Sequence, residues 1–183
     1  MVWATSEEYK LSISHILLSK KGIQSMWKTI KPFVVSIGIA FLVGALSQWA
    51  SGGSDQSRAV YESLNLPALA VPGWVFGVVW PIWFALLGIA AALVYRSPAS
   101  TEKSEGLRFY ELHLLILFVW PILFFKIEAF WAAFTLLLLL VFVTYMMMSR
   151  YYQVSKVAFW ILIPYCAWIA YALYLNLRVA MLN

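Results

Sequence analysis

Five apolar runs, at residues 32–50, 73–95, 109–125, 129–148 and 157–177, are separated by short polar stretches. Each is long enough, or nearly so, to cross a hydrocarbon core of about 30 Å at a helical rise of about 1.5 Å per residue. Period-2 alternation is absent, which excludes a closed barrel, so the spans must be helices that satisfy their own backbones. No run contains Lys or Arg, and only the third carries ionisable groups, Glu111 and His113. Lys126, Ile127 and Glu128 alone separate the third and fourth runs, which makes that pair an antiparallel helical hairpin. The expected fold is therefore an all-α membrane protein, a bundle of five transmembrane helices.

Composition agrees. Of 183 residues, 63% are hydrophobic and 11% charged, against roughly a quarter charged in soluble domains. The positive charge sorts by side. Lys10, Lys20, Lys21, Lys28 and Lys31 precede the first span, Arg96, Lys103 and Arg108 flank the second connection, and Arg150 and Lys156 flank the fourth. The opposite side holds Arg58, Lys126 and Arg178. The positive-inside rule then predicts a cytoplasmic N-terminus and a C-terminus across the membrane. Topology accounts for the net charge of +5, so no nucleic-acid partner is needed, and the basic side suits anionic lipid. One cysteine, Cys166, leaves neither a disulfide framework nor a cysteine metal site.

Residues 1–31 read as a basic tail able to lie along the membrane surface, interrupted at Gly22, and residues 32–183 as one transmembrane domain. The tail is not a cleaved signal sequence, because "SQWASGG" lacks an A-x-A site. It begins acidic at Glu7 and Glu8 and has no Arg, unlike an organellar transit peptide, which points to a bacterial cytoplasmic membrane. The connection "SGGSDQSRAVYESLNLPALAVP" is the longest, and its apolar second half suggests a lid folding back onto the bundle.

The candidate chemistry is aromatic. Trp74, Trp80 and Trp83 crowd the start of the second span. Tryptophan at a membrane interface ordinarily anchors a helix at headgroup level, which suits Trp74 and Trp83, but Trp80 lies about 9 Å deeper than Trp74 by helical rise. Pro81, Pro121 and Pro164 fall inside three spans, where kinks would let helices bow apart around a cavity; membrane helices also tolerate proline without such consequence. In the fifth span Tyr165, Trp168, Ala172, Leu175 and Asn176 share one helical face, suited to a flat apolar ligand. Asn176 and His113 are costly in lipid and should face a partner helix or a ligand. No phosphate loop, nucleophile elbow or HExxH occurs, and hydrolytic acid–base chemistry is not expected.

These residues resemble the TspO/MBR family, the tryptophan-rich sensory or translocator proteins also called peripheral-type benzodiazepine receptors. The second-span family pattern is met by Tyr61, Leu64, Pro67, Pro72, Trp74, Phe76 and Trp80, and the third by Trp120, Phe124 and Phe125. The fifth is met by Pro164, Tyr165, Trp168, Tyr171, Ala172, Leu175 and Asn176, with Tyr171 for Phe. The resemblance implies a five-helix bundle, usually dimeric, with a pocket open toward the first loop that takes porphyrins and related tetrapyrroles. It also implies, for some members, light- and oxygen-dependent porphyrin breakdown using two tryptophans, whose positions Trp80 and Trp168 match. The chain departs from the pattern at Val60, Leu66, Leu69, Val71, His113 and Leu117, which makes the lid and one wall less polar and less aromatic. The sterol pattern is not met near "LYLNLRVAMLN", since Leu173 adjoins Tyr174.

The expected function is thus a tetrapyrrole-binding membrane protein acting as sensor, carrier or regulator, lined by Tyr61, Pro72, Trp74, Phe76, Trp80, His113, Leu117, Trp120, Tyr165, Trp168, Ala172 and Asn176. No cofactor or metal is required, although porphyrin or haem is a candidate ligand with His113 as polar handle or axial ligand. The alternatives are photo-oxidative porphyrin degradation, with Trp80 and Trp168 as the reactive pair, and a non-catalytic interaction protein whose aromatics only pack the bundle. A homodimer is expected.

Overall fold

The computed structural model describes the backbone of residues 6–183 and the side chains of residues 23–183. Five helices among them are long and apolar enough to cross a membrane: Ile23–Ala50, Trp74–Arg96, Thr101–Lys126, Phe130–Val154 and Lys156–Leu182. The chain is a multi-pass membrane protein, as its hydropathy pattern requires.

Helix α1 (Ser6–Ala50) runs without a break through Gly22 and Pro32, so the interruption expected at Gly22 does not occur. The surface placement expected of the tail depends on side chains outside the described residues. Gly52 and Gly53, at φ of 102° and 85°, then reverse the chain into α2 (Gly53–Ser63). The left-handed region is open to glycine at little cost, which permits so abrupt a turn. The first half of the long connection is therefore a helix rather than a loop, and it buries Val60 and Tyr61.

Helices α3 (Trp74–Arg96) and α4 (Thr101–Pro121) follow, joined by a polar connection with its own capping chemistry. Ser100 accepts from the Lys103 amide at 3.1 Å, and Lys103 Nζ donates to the Ser97 carbonyl at 2.7 Å. One cation thus serves the C-terminus of α3, while Glu102 lies in the first turn of α4, where the helix dipole favours it. A π-helical turn at Ile122–Lys126 closes α4, and α5 (Phe130–Val154) returns antiparallel to it. Lys126 Nζ reaches the Ala50 carbonyl at 3.2 Å, tying the hairpin to the end of α1.

The fifth span is two helices. Helix α6 (Lys156–Ile161) ends at Leu162, and α7 (Ile163–Leu182) begins with Pro164 in its first turn. The three prolines therefore act differently. Pro164 starts a helix, where its missing N–H costs nothing, and Pro121 ends one ahead of the π turn. Helix α3 passes through Pro81 unbroken, with Gly77 four residues earlier at the carbonyl that the ring opposes.

Helix α4 packs along α5, α1 along α3, and α5 against α7, while α3 meets the fifth span chiefly through α6. The α1–α3 contact depends on a missing side chain. A Cβ on Gly88 would lie 2.5 Å from the Ile37 Cα, so the two backbones could not otherwise meet. Outward, α1 shows Val34, Val35, Leu42 and Trp49 to lipid.

Gly88→Ala should force α1 off α3 and cost on the order of 1–3 kcal/mol, the usual penalty of overpacking. Gly38 has open space around it, so Gly38→Ala should leave stability unchanged or slightly raised. Thermal unfolding of both variants in nanodiscs checks this; equal melting temperatures would contradict the close contact.

Candidate ligand site

Helix α3 lies close to the fifth span at α6 and reaches α7 through side chains. Aromatic rings fill the space between. Tyr61 of α2 sits edge-on to Phe76 at 5.5 Å between ring centroids, and Phe76 edge-on to Trp168 at 5.8 Å. Trp168 meets Trp83 at 6.3 Å, and Trp83 meets Tyr165 at 5.7 Å. The spacing explains the row, because Phe76 and Trp83 are seven residues apart on one face of α3, as Tyr165 and Trp168 are three apart on α7. Tilted and edge-to-face rings at these distances each contribute about 0.5–1.5 kcal/mol beyond burial. The indole N–H groups of Trp83 and Trp168 are buried without a hydrogen-bond partner.

The row ends at His113. Tyr165 OH lies 2.8 Å from His113 Nε2, and Thr144 Oγ1 lies 3.1 Å from Nδ1. Thr144 donates its single hydroxyl proton to the Leu140 carbonyl at 2.7 Å. Its oxygen must then accept from Nδ1–H, which leaves Nε2 to accept the Tyr165 proton. All three residues are buried, so α4, α5 and α7 are joined by a satisfied polar chain inside the bundle. An axial ligand needs a free ring nitrogen, and His113 has none; the role expected of it as handle or iron ligand does not fit this geometry.

A lid covers the other end. After α2 the chain runs to Gly73 through a turn in which the Ala70 amide donates to the Pro67 carbonyl at 2.9 Å, and Tyr61 OH donates to the Val71 carbonyl at 2.6 Å. Tyr171 OH donates to the Leu69 carbonyl at 2.9 Å and accepts from the Val71 amide at 3.3 Å. Burial, then the neighbouring Tyr171, pushes the Tyr61 phenol up to about 12, so it stays a donor at ordinary pH. At the lid's start Asn65 N–H donates to Asn183 Oδ1 at 2.9 Å, and Asn183 Nδ2 returns a bond to the Asn65 carbonyl at 3.3 Å. The fold-back expected of this segment is what the structure has.

Of the residues singled out from the sequence, Tyr61, Phe76, His113, Tyr165 and Trp168 come together in the row, with Ala172 half-buried one turn beyond Trp168. Trp80 does not pair with Trp168. Its ring tilts on Phe84 at 5.8 Å, and Phe84 in turn meets Phe41 of α1, so Trp80 leans toward α1 and Trp83 takes the inner place. Trp74 is 69% exposed, the position of an interfacial anchor, and Pro72 is exposed on the lid. Leu117 is buried in the main core, whereas Trp120 stacks on Phe124 at 5.0 Å in a second cluster with Ala133 and Val179. Asn176 is buried with neither amide atom bonded. Sequence reading gave Trp83 only the role of an anchor and Tyr171 only a motif match, and it missed Thr144; the seven-residue interval from Phe76 was the available signal for Trp83, and Thr144 had none.

Fold and site together define a five-helix membrane bundle with an aromatic seam under a latched lid. The family model for the TspO/MBR family matches residues 36–182, and the chain belongs to that family. It is similar to a tryptophan-rich protein TspO of Chlorobaculum tepidum, 28% identical over 159 residues that cover 86% of this chain and 99% of the relative. The human translocator protein is 33% identical over 118 residues, covering 63% of this chain and 70% of its own length. A translocator protein homolog of Schizosaccharomyces pombe is 29% identical over 147 residues, covering 79% and 90%.

Tyr171→Phe removes the hydroxyl that serves two lid backbone groups. Amide exchange over residues 69–73 should quicken roughly tenfold, as expected from losing two hydrogen bonds of about 1 kcal/mol each in part. Hydrogen-exchange mass spectrometry reads it, with exposed Trp74→Phe as the variant that should change nothing.

Proposed function

We propose that the protein binds a flat apolar tetrapyrrole of the porphyrin type between α3, α7 and the lid, as a sensor, carrier or regulator. The observation that carries this reading is the aromatic row from Tyr61 to Tyr165, with two unpaired indole N–H groups in its middle. Buried donors without partners are costly, and a ligand's carbonyl or carboxylate oxygens would satisfy them. Because the rings of Phe76, Trp83 and Trp168 bridge α3 and α7, a planar ligand can enter by parting ring contacts once the lid lifts. Iron coordination by His113 forms no part of this reading, so a free-base porphyrin serves as well as haem.

The basic side faces the cytoplasm in this reading, the host membrane is a bacterial cytoplasmic membrane, and the protein works as a homodimer. A second reading, light-driven porphyrin breakdown, draws support from the Trp83–Trp168 contact, which sets two oxidisable indoles side by side.

Titration of protoporphyrin into the protein in nanodiscs, followed by intrinsic fluorescence quenching and by the shift of the porphyrin absorption band, tests the proposal. Micromolar binding is expected, weakened about five- to tenfold in Trp83→Phe and in Trp168→Phe, each of which loses one N–H bond to the ligand. Trp74→Phe should bind as the wild type does. Unaltered affinity in the Trp83, Trp168 double variant, or no binding at all, would leave the aromatics as packing only.

A further inference from the structure

The hydrogen-bonded pair of Tyr165 and His113 lies at ring contact with Trp83, and packing alone does not require that arrangement. We propose that Tyr165 and His113 form a proton-coupled redox pair that refills the Trp83–Trp168 indoles after one-electron oxidation. Three features carry it. Tyr165 OH is 2.8 Å from an imidazole nitrogen that the Thr144 bond leaves unprotonated, so a proton acceptor waits on the phenol's own hydrogen bond. The Tyr165 ring is 5.7 Å from Trp83, which is 6.3 Å from Trp168, so an electron crosses only ring-to-ring contacts. Finally, the pair is fully buried, and the buried polar side chains among the described residues are Ser47, Ser51, His113, Thr144 and Asn176, with no carboxylate or second base to compete for the proton.

The step balances. A one-electron oxidant, chemically a photoexcited aromatic dye such as a porphyrin, takes an electron from Trp83 or Trp168 and becomes its radical anion. Tyr165 then gives one electron to the indole radical cation and its phenolic proton to His113 Nε2. The O–H bond breaks, an N–H bond forms, and a neutral tyrosyl faces an imidazolium. One positive charge is buried before and after. It moves from an indole to a ring whose two N–H groups donate to the Tyr165 and Thr144 oxygens, where a buried charge is better held. Electron return from the reduced dye to the tyrosyl, with the proton, restores the start. The proposal rests on the tetrapyrrole reading only for its natural oxidant.

The test therefore uses no tetrapyrrole. Ultraviolet flashes on the full chain in nanodiscs eject electrons from indoles into a soluble cobalt(III) hexammine scavenger, and tyrosyl and tryptophanyl radicals are followed by transient absorption and electron paramagnetic resonance. Wild type should convert tryptophanyl to tyrosyl signal with a solvent deuterium isotope effect, and Tyr165→Phe should lose that conversion. His113→Gln keeps a hydrogen-bond acceptor for Tyr165 but cannot take the proton. It should cut tyrosyl yield roughly tenfold or more, the scale of a lost general base, while circular dichroism and melting temperature stay near wild type. Trp83→Phe should also lower the yield. Undiminished tyrosyl formation in His113→Gln or in Tyr165→Phe would overturn the proposal. A normal radical yield without porphyrin binding would sink the binding reading alone, and the converse this one alone.

Discussion

Apolar side chains gain nothing by leaving lipid for the interior of a helical bundle, so association within the bilayer must come from close packing and the occasional interior hydrogen bond. The structure follows from that constraint. Where packing is closest the residue is small: Gly88 against the Ile37 backbone, Gly106 under the Tyr151 ring, and the buried run Ala90, Ala91 and Ala92 in α3. Where helices stand apart, polar atoms or large rings bridge them. Ser47 of α1 donates to the Phe118 carbonyl of α4 at 2.8 Å, and His113 holds α4 to α5 and α7 at once. The basic end adds an ion pair of 2.8 Å between Arg150 and Glu105, across α5 and α4.

The inner placement of Trp83 and Trp168 goes with the broken fifth span. Because α6 stops at Leu162 and α7 restarts with Pro164, the fifth span meets α3 closely only at α6 and leaves a gap beside α7. Helix–helix packing by small residues is unavailable across such a gap, and only side chains as large as Trp83, Trp168, Phe76 and Tyr165 can fill it.

Much of the fold was legible because hydropathy over twenty residues is a strong signal, and the five spans and the α4–α5 hairpin were read correctly. Their ends were read short, since Thr101, Arg150 and Lys156 are polar yet helical, kept so by the caps at Ser100 and Ser155. Helix α2 was invisible because "GSDQSRAVYES" lacks an apolar run, and only the glycine pair before it and the burial of Val60 and Tyr61 make it a helix. The candidate site was half legible. Depth along α3 pointed to Trp80, but azimuth decides which ring faces α7, and an offset of about 60° round the helix between Trp80 and Trp83 is enough to set Trp80 on Phe84 and Trp83 on Trp168. His113 stood out as the one imidazole in a span, while its partners lie 31 and 52 residues away on other helices, beyond the reach of local pattern.

Polar satisfaction then divides the bundle. His113 is bonded at both nitrogens, and at the basic end Arg150 pairs with Glu105 and Lys103 caps α3, while Tyr151 OH is buried without a partner. From the level of His113 toward the lid, the indole N–H groups of Trp83, Trp120 and Trp168 and both amide atoms of Asn176 are buried and unbonded. Each would be expected to cost about 1–3 kcal/mol if left so, and a stability-driven sequence would place Phe and Leu there. Retaining such donors beneath a lid that two tyrosines and a terminal asparagine hold shut favours a site whose polar groups are completed by something from outside the chain. The imidazole serves the chain's own framework, whereas the indole N–H groups of Trp83 and Trp168 have no partner within it.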